Sequence, residues 1–321
     1  MLRSTRLIRS ALISGEKHLS TQSTGKLMYD FNHTVEDYRR YRNEVGLNQE
    51  FYHKLFRYGV GLEGQKILNL ESNGGAIARG FALRGIKDVT ATDSSATMTE
   101  HARTVNAAYG VEIRCKLAAK EQTGEPDNSY DVVITDQAWY WEDSSDVFAE
   151  ITRILRPDGK LVVAYNDWMP DMQQADNHRQ TYRSVTDLTA DLLRQHDPSW
   201  RPMDMYRMYL QPFRDVTDAY YVNAKAFKFV LTEEGVSHEF WRGRIRTSPN
   251  VSLAENKMLA FDQEHAEALK KHFPEAGLKV PNMHYALVAT RPSMFLSHPQ
   301  AKTKLAKPTE DQRPSNRPGL K

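Results

Sequence analysis

The chain has one cysteine among its 321 residues, which excludes an internal disulfide framework and a metal site built from several thiolates. It also has no hydrophobic run that approaches the roughly 18 residues of a membrane-spanning helix. Its 43 basic and 41 acidic residues leave a formal net charge of +2, which gives no reason to expect a nucleic-acid-binding protein. The histidines are scattered without the spacing of metal ligands, so no metal site is predicted.

The two ends of the chain differ in composition from its centre. Residues 1–26 interleave arginine with leucine and isoleucine, and no acidic residue precedes Glu16. This composition is typical of a mitochondrial transit peptide and predicts a mitochondrial protein. The alternatives are a disordered leader or a misassigned start, which would leave a cytoplasmic protein. Residues 292–321 combine proline with lysine and arginine and are expected to be a disordered basic tail.

At 321 residues the chain can bury a full core, and its centre, residues 27–291, suits one large α/β domain with insertions or one domain plus a small cap. In it, Ile67–Leu70 is a short apolar run suited to a buried parallel strand, and Ala76–Leu83 has apolar residues at helical spacing. The turn between them can direct backbone amides at a ligand, and Asp93, at the tip of the next strand, can accept hydrogen bonds from a ribose. This spacing fits two structures, a nucleoside-binding site and a plain βαβ unit.

A cluster of aromatic residues follows the predicted strand Tyr130–Thr135. Trp139, Tyr140 and Trp141 come just after Gln137. Because large apolar faces at a strand end need to be covered by protein or ligand, the cluster indicates a pocket wall. Packing beneath the neighbouring helix is the alternative. The remaining strands are predicted at Val111–Cys115, Lys160–Tyr165, Ala226–Leu231 and Met283–Thr290.

Several stretches, in their order and spacing, resemble class I S-adenosylmethionine-dependent methyltransferases, and in particular the group that acts on small molecules. These stretches are KILNLESNGGAIARGFALRG, VTATDSS, AKEQTG, SYDVVITDQAWYWED and ILRPDGKLVVAYNDW. The resemblance, over about residues 29–291, implies an α/β, Rossmann-like, doubly wound and mostly parallel seven-stranded sheet whose last strand is antiparallel. It also implies cap insertions at about 167–222 and 232–276, an S-adenosylmethionine cofactor and a small-molecule methyl acceptor.

The resemblance further implies which residues bind the cofactor. Asp93 matches the acid that bonds both ribose hydroxyls, and Ser94 is its neighbour on the adenine side. Gly74 and Gly75 match the end of the glycine-rich turn that approaches the methionine part. The other implied contacts are Glu121 near the adenine amino group, Gln137 at the methionyl end, and Tyr41 and Arg42 of a leading helix at the cofactor carboxylate.

The chain departs from the family pattern close to that cofactor. Glu71 and Asn73, also predicted to bind it, stand where the family has its first two glycines, which permit positive φ and close backbone approach. Asn69 stands where the family commonly has an acidic residue, and Lys120 stands where it often has a small residue. An ionised Glu71 would repel the cofactor carboxylate in a partly dry site unless a cation intervenes. In an alternative register, Glu71 is the acid of the motif, and Asn73 and Gly75 are its glycines.

The acceptor site is predicted where the aromatic cluster meets the cap. Tyr140 stands where relatives often carry a histidine and is the candidate catalytic residue, because a phenol can orient or deprotonate an acceptor hydroxyl. The predicted pocket residues are Trp139, Trp141, Trp168 and Arg242. Arg242 could meet an acidic substrate through bidentate pairing, or it could pair with a local acid at the surface.

Two other classes of function are consistent with parts of the sequence. A non-catalytic binding or assembly protein, acting through a protein partner, would account for Glu71, Asn73 and Lys120 as marks of a weakened cofactor site. Nicotinamide-dependent hydride transfer would share Asp93, but it fits the QAWYW and LRPDG stretches poorly.

Overall fold

The computed structural model describes residues 40–41, 48–137, 139, 145–168, 182, 184–200, 210–248, 251 and 253–293. The predicted transit peptide and the predicted basic tail lie outside these residues, as do the site candidates Arg42, Tyr140 and Trp141. The predictions made for them therefore stay predictions.

The described residues form a seven-stranded sheet with the strand order β3-β2-β1-β4-β5-β7-β6. Strands β1 to β5 are parallel to one another, and β7 is antiparallel to both β5 and β6. This is the predicted doubly wound sheet. The strands are β1 (Lys66–Leu70), β2 (Asp88–Asp93), β3 (Arg114–Leu117), β4 (Tyr130–Asp136), β5 (Leu155–Trp168), β6 (Val222–Val236) and β7 (Leu278–Thr290).

Four helices begin at a side chain that accepts from a first-turn amide, an arrangement that typically stabilises a helix by about 1 kcal/mol. The caps are Asn48, Ser95, Ser184 and Ser237. The described helices are α1 (Gln49–Arg57), α2 (Ala76–Ala82), α3 (Ala96–Ala108), α4 (Ser145–Ile154), α5 (Val185–His196), α6 (Gln211–Asp218), α7 (His238–Arg246) and α8 (Glu255–His272).

Three apolar clusters hold these elements together. One lies on the face of the sheet that α4 and α6 cover, and includes Phe148 and Val216. The second lies on the face that α1 and α2 cover, and includes Phe51 and Ile77. The third joins α5, α7 and α8 to the ends of β5, β6 and β7, and Trp241 is fully buried in it. The last cluster forms a cap at the edge of the sheet where β5 ends.

The long strands extend beyond their predicted limits. The sixth strand was predicted at 226–231 with a helical insertion from 232, but β6 runs from Val222 to Val236 before α7 begins. The prediction was wrong because β6 is an edge strand with much of its length exposed, so its apolar pattern is weak. Its extent is set by pairing with β7, which continues to the Val236–Leu278 pair.

No described helix has both the length and the apolar character needed to cross a bilayer. Within the same described ranges, no group of three or more histidine, cysteine or acidic side chains is arranged to hold a metal ion.

Candidate functional site

The turn between β1 and α2 has a left-handed backbone at four of its five residues. The φ angles are 51° at Glu71, 47° at Asn73, 85° at Gly74 and 78° at Gly75. A non-glycine residue in this region typically costs about 1–3 kcal/mol, so the surrounding structure has to maintain it. The two non-glycine residues therefore keep a backbone shape that glycine would adopt more easily.

The side chain of Asn69 holds this turn in place through hydrogen bonds to neighbouring elements. It is fully buried on β1, where its amide Nδ2 donates to the carbonyl of Ile134 on β4 at 3.3 Å. Its Oδ1 accepts from the backbone N–H of Ala78 at 3.2 Å, which satisfies an amide near the start of α2. An ionised acid at this position could not donate to Ile134, so the asparagine joins β1, β4 and α2 in a way that the common acid does not.

Asp93 connects the same turn to the end of β2. Its side chain is only 4% exposed, and its two oxygens accept from the backbone N–H groups of Asn73 and Ser95, both at 2.9 Å. Burial raises the pKa of Asp93, and the two backbone hydrogen bonds oppose that rise. Each carboxylate oxygen has a second lone pair, so this acid can also accept hydrogen bonds from a ligand at the edge of the sheet.

The Glu71 side chain extends from the end of β1 toward the end of β2. The Ser94 hydroxyl donates to its Oε2 at 3.3 Å. Burial and, to a lesser extent, the charge of Asp93 raise the pKa of Glu71 to about 7, while Lys120 and the Ser94 hydrogen bond act in the opposite direction. Near pH 7 this carboxyl is therefore divided between its neutral and ionised forms.

The loop after β3 approaches the same place. The backbone N–H of Ala118 donates to the carbonyl of Asp93 at 3.0 Å, and Lys120 lies 3.9 Å from the exposed carboxylate of Glu121. The predicted residues Glu71, Asn73, Asp93 and Ser94 are thus joined by hydrogen bonds, with the Glu121 loop tied to them. They meet at the carboxyl ends of three parallel strands, where an open α/β sheet binds its ligands.

Gln137 lies on the other side of β1, just after β4. Its backbone has a φ of 55°, and its side-chain Nε2 donates to the carbonyl of Asn166 on β5. The Asn166 side chain donates to Asp136 Oδ1 at 3.2 Å and bonds Nδ1 of His284 at 2.6 Å. Asp136, Asn166 and His284 were not among the predicted site residues. Polar residues inside apolar strands were the sequence signal for this group.

Tyr41 and Arg242 contact the cap. The Tyr41 hydroxyl donates to Glu239 at 3.2 Å, and its ring packs so closely on α7 that a Cβ at Gly243 would lie 2.3 Å from it. The guanidinium of Arg242 makes a two-pronged contact with Asp262, with Nε 2.9 Å from Oδ1. Arg242 therefore pairs with a local acid, which was the predicted alternative to binding an acidic substrate. A role for either residue toward a ligand stays a prediction.

Trp139 and Trp168 are both largely buried, at 4% and 8% exposure. Trp139 donates from its indole to Asp215 at 2.9 Å and packs edge-on against Phe148, which agrees with the alternative of packing beneath the neighbouring helix. Trp168 stacks with Trp200 in the cap. Their predicted place in a substrate pocket stays a prediction.

Residues 68–163 match the model of a family described as a methyltransferase domain. An uncharacterized methyltransferase of Mycobacterium tuberculosis is 32% identical over 102 residues, which are 32% of this chain and 40% of the relative. The chain thus matches about two fifths of the length of this relative. Similar solved structures include a putative type II methyltransferase from Anaeromyxobacter dehalogenans, with 18% identity, a TM-score of 0.49 and coverage of 75% and 95% of the two chains. Another is a putative methyltransferase from Bacillus halodurans, with 16% identity, a TM-score of 0.48 and coverage of 76% and 100%.

Residues 68–163 thus resemble a methyltransferase domain, and the strand order is the one that the motifs predicted. Methyl transfer is the chemistry that this domain supports.

Proposed function

We propose that the protein transfers the methyl group of S-adenosylmethionine to a small-molecule acceptor. The observation that carries the proposal is the β1–α2 turn, which keeps a left-handed backbone at Glu71 and Asn73 and is bonded to Asp93 at the end of β2. Strained backbone is typically retained at functional sites, where the surrounding structure maintains it. The cap formed by α5, α7 and α8 at the end of β5 supports an acceptor small enough to be enclosed.

The residues at the edge of the sheet suit a nucleoside-containing methyl donor. Asp93 would accept from the ribose hydroxyls, with Ser94 and Glu121 on the adenine side and Gly74 and Gly75 toward the methionine part. When bound, the donor supplies an electrophilic methyl group on a sulfonium. The contribution of the protein is to align the acceptor with that methyl group and to exclude water, since alignment lowers the barrier and charge disperses in the transition state.

Glu71 is the residue at this edge of the sheet that is least suited to binding the methyl donor. Its carboxyl bonds Ser94 beside Asp93, on the side where a ribose would approach. The neutral form can donate a hydrogen bond to a ligand, whereas the ionised form adds a second negative charge close to Asp93. Lys120 supplies part of the neutralising charge. Donor affinity should therefore be higher at pH 6 than at pH 8.

A non-catalytic binding protein is the second candidate function. The Glu71–Ser94 hydrogen bond favours it, because the chain itself occupies part of the space between the ends of β1 and β2. In that case the sheet would serve as a scaffold for a protein partner, and the donor would not bind.

Equilibrium binding of S-adenosylmethionine to the full chain separates the two candidates. We expect saturable binding that Asp93→Ala weakens by roughly tenfold to a hundredfold, because hydrogen bonds to a charged group typically contribute about 1.5–3 kcal/mol. Isothermal titration calorimetry at pH 6.5 measures the dissociation constants. Asp93→Asn serves as a milder variant, because it keeps one side-chain acceptor for the backbone amides of Asn73 and Ser95.

Asp88→Ala is the matched control, since Asp88 is exposed at the opposite end of β2. It should bind the donor like the wild type. Circular dichroism of each variant establishes that the fold is kept. Wild-type protein that shows no binding at millimolar donor would overturn the proposed function and favour the scaffold. Equal affinity in the wild type and a folded Asp93 variant would contradict the assigned ribose site.

A further inference from the structure

A row of side chains crosses four neighbouring strands on one face of the sheet. Asp136 ends β4, Asn166 lies on β5, His284 on β7 and Phe229 on β6. Asn166 is paired with His284 across β5 and β7, and Phe229 is paired with His284 across β6 and β7. Directly paired residues project from the same face, so these side chains can form one continuous layer.

This row begins beside the candidate donor site. Leu70 at the end of β1 is paired with Thr135 of β4, so Asp136 follows at the position next to the β1–α2 turn. The negative charge of Asp136 also acts on the Tyr52 hydroxyl, which donates to the carbonyl of Ile77 in the first turn of α2. The polar row and the turn that would approach the donor are therefore neighbours at one edge of the sheet.

The hydrogen bonds of the row determine which nitrogen of His284 carries the proton. The amide NH₂ of Asn166 faces Asp136, because Nδ2 donates to Asp136 Oδ1 at 3.2 Å. The other end of the amide, the Asn166 oxygen, then faces Nδ1 of His284 at 2.6 Å. An oxygen acceptor requires a proton on Nδ1, so in the neutral ring Nε2 has the lone pair.

The surroundings keep this imidazole neutral. The ring is 6% exposed and stacks on Phe229, with 4.9 Å between ring centroids, while Phe51 of α1 lies 6.5 Å away. Burial and, to a lesser extent, the charge of Arg244 lower the pKa of His284 to about 4, and Glu233 opposes the change. A neutral imidazole with a fixed tautomer has the form required of a proton acceptor.

We propose that Nε2 of His284 accepts the proton that an O–H or N–H methyl acceptor loses during transfer. The inference rests on the proposed function, which supplies the sulfonium methyl donor. The acceptor lone pair forms the new bond to the methyl carbon, and the carbon–sulfur bond breaks with its electron pair remaining on sulfur, which yields a neutral thioether. The acceptor proton moves to Nε2, and the resulting imidazolium releases it to water.

Several charged groups face this ring from the elements packed around it. Asp136 acts through Asn166, Arg244 and Glu233 act through space, and the ammonium of Lys54 on α1 lies 5.3 Å from the centre of the stacked Phe229 ring. Because burial keeps this base neutral, we expect that the rate of methyl transfer does not decline as the pH falls from 7 to 5.5. A histidine with an ordinary pKa near 6.5 would already lose activity in that range.

The test is nuclear magnetic resonance of the full chain labelled with ¹⁵N-histidine, with and without S-adenosylhomocysteine as the probe. His284→Gln identifies the resonances of His284. The expected result at pH 7 is a protonated Nδ1, an unprotonated Nε2 and a shift of the His284 signals when the probe binds. His265 is the matched control, because it is a second buried histidine but lies in the cap against Thr189, and its signals should not move.

Each other result would decide against the proposal. A proton on Nε2, or a charged ring at pH 7, would mean that Nε2 of His284 cannot accept a proton from the acceptor. Probe binding seen by calorimetry without a change at His284 separates this residue from the donor and leaves the proposed function standing. Complete absence of probe binding removes both the proposed function and this inference.

A rate measurement separates a base from a merely structural histidine. For an O–H acceptor that the protein methylates, His284→Gln should lower kcat about 100-fold or more, the usual contribution of general base catalysis, and leave the dissociation constant of S-adenosylhomocysteine unchanged. His265→Gln should retain the wild-type kcat. An unchanged kcat in a folded His284→Gln variant overturns the assignment.

Discussion

Glu71→Gln is expected to stabilise the folded protein by up to about 3 kcal/mol above pH 7 and to have little effect near pH 4. Burial and the neighbouring Asp93 raise the pKa of this carboxyl in the folded state to about 7, from an ordinary value of 4.5. The interval between these two values corresponds to about 3 kcal/mol of free energy of unfolding. Because glutamine is never ionised, it avoids the cost of a buried negative charge at this position.

The direction of this pH dependence follows from the number of protons that the folded and unfolded states bind. Between pH 4.5 and 7 the folded protein keeps a proton on Glu71 that the unfolded chain has already released. The contribution of Glu71 to stability is therefore fully present below pH 4.5, is lost as the pH rises toward 7, and stays lost above it. Glutamine should remove this part of the pH dependence, so the gain from the substitution grows across the same interval.

Urea denaturation of the wild type and Glu71→Gln, at pH 4.5 and at pH 8, measures the difference. Glu121→Gln is the matched control, because it removes an exposed carboxylate from the loop that also contains Lys120. It should change the free energy of unfolding by less than about 0.5 kcal/mol at either pH. A Glu71→Gln variant that is no more stable than the wild type at pH 8 would show that this carboxylate is well solvated in the fold.

The second large effect is expected in the cap. Trp241→Ala should reduce the free energy of unfolding by about 3–5 kcal/mol, the usual cost of removing a large buried aromatic side chain. The Trp241 ring is fully buried, packs edge-on against Trp168 with 5.4 Å between centroids, and donates to the Thr189 hydroxyl at 3.0 Å. Truncation removes the packing between α7, α5 and the end of β5 at once.

Chemical denaturation followed by circular dichroism measures this loss. Leu259→Ala on α8 is the control in the same cap, because Leu259 is 62% exposed and its truncation should cost less than about 0.5 kcal/mol. Trp241→Phe keeps most of the buried ring and should fall between the two. A loss of less than about 1 kcal/mol in Trp241→Ala would mean that the cap does not depend on this ring.

The agreement between sequence and structure is strongest where one local pattern decides the outcome. The run Ile67–Leu70 forms a strand because four consecutive residues are buried on both faces of a parallel sheet, and the structure extends it by one residue. Ser95 begins α3 by accepting from the Met98 amide, which is a local contact within the first turn of the helix. Agreement is weakest at β6, whose exposed residues show little periodicity.

In the candidate site, too, the sequence identified the residues with a local pattern and missed those brought together by the fold. Asp93 was identified from its distance along the chain from the first strand, and it does lie at the end of β2 beside the turn. His284 was not identified, because it is about 150 residues from Asp136 in sequence, and only the pairing of β5 with β7 places it within reach of Asn166. The polar residues inside these strands are visible in the sequence, but their contacts across non-consecutive strands are not.

Sequence alone predicted the order of the strands and helices, the resemblance of the core to methyltransferases and the position of the β1–α2 turn. These depend on apolar spacing and on turn residues within a few positions of one another. The folded chain was needed to show that Glu71 bonds Ser94, that Arg242 is held by Asp262 and that Asn166 orients His284. The physical reason is that the charge and protonation of a side chain depend on the partners and the burial that the folded chain brings to it.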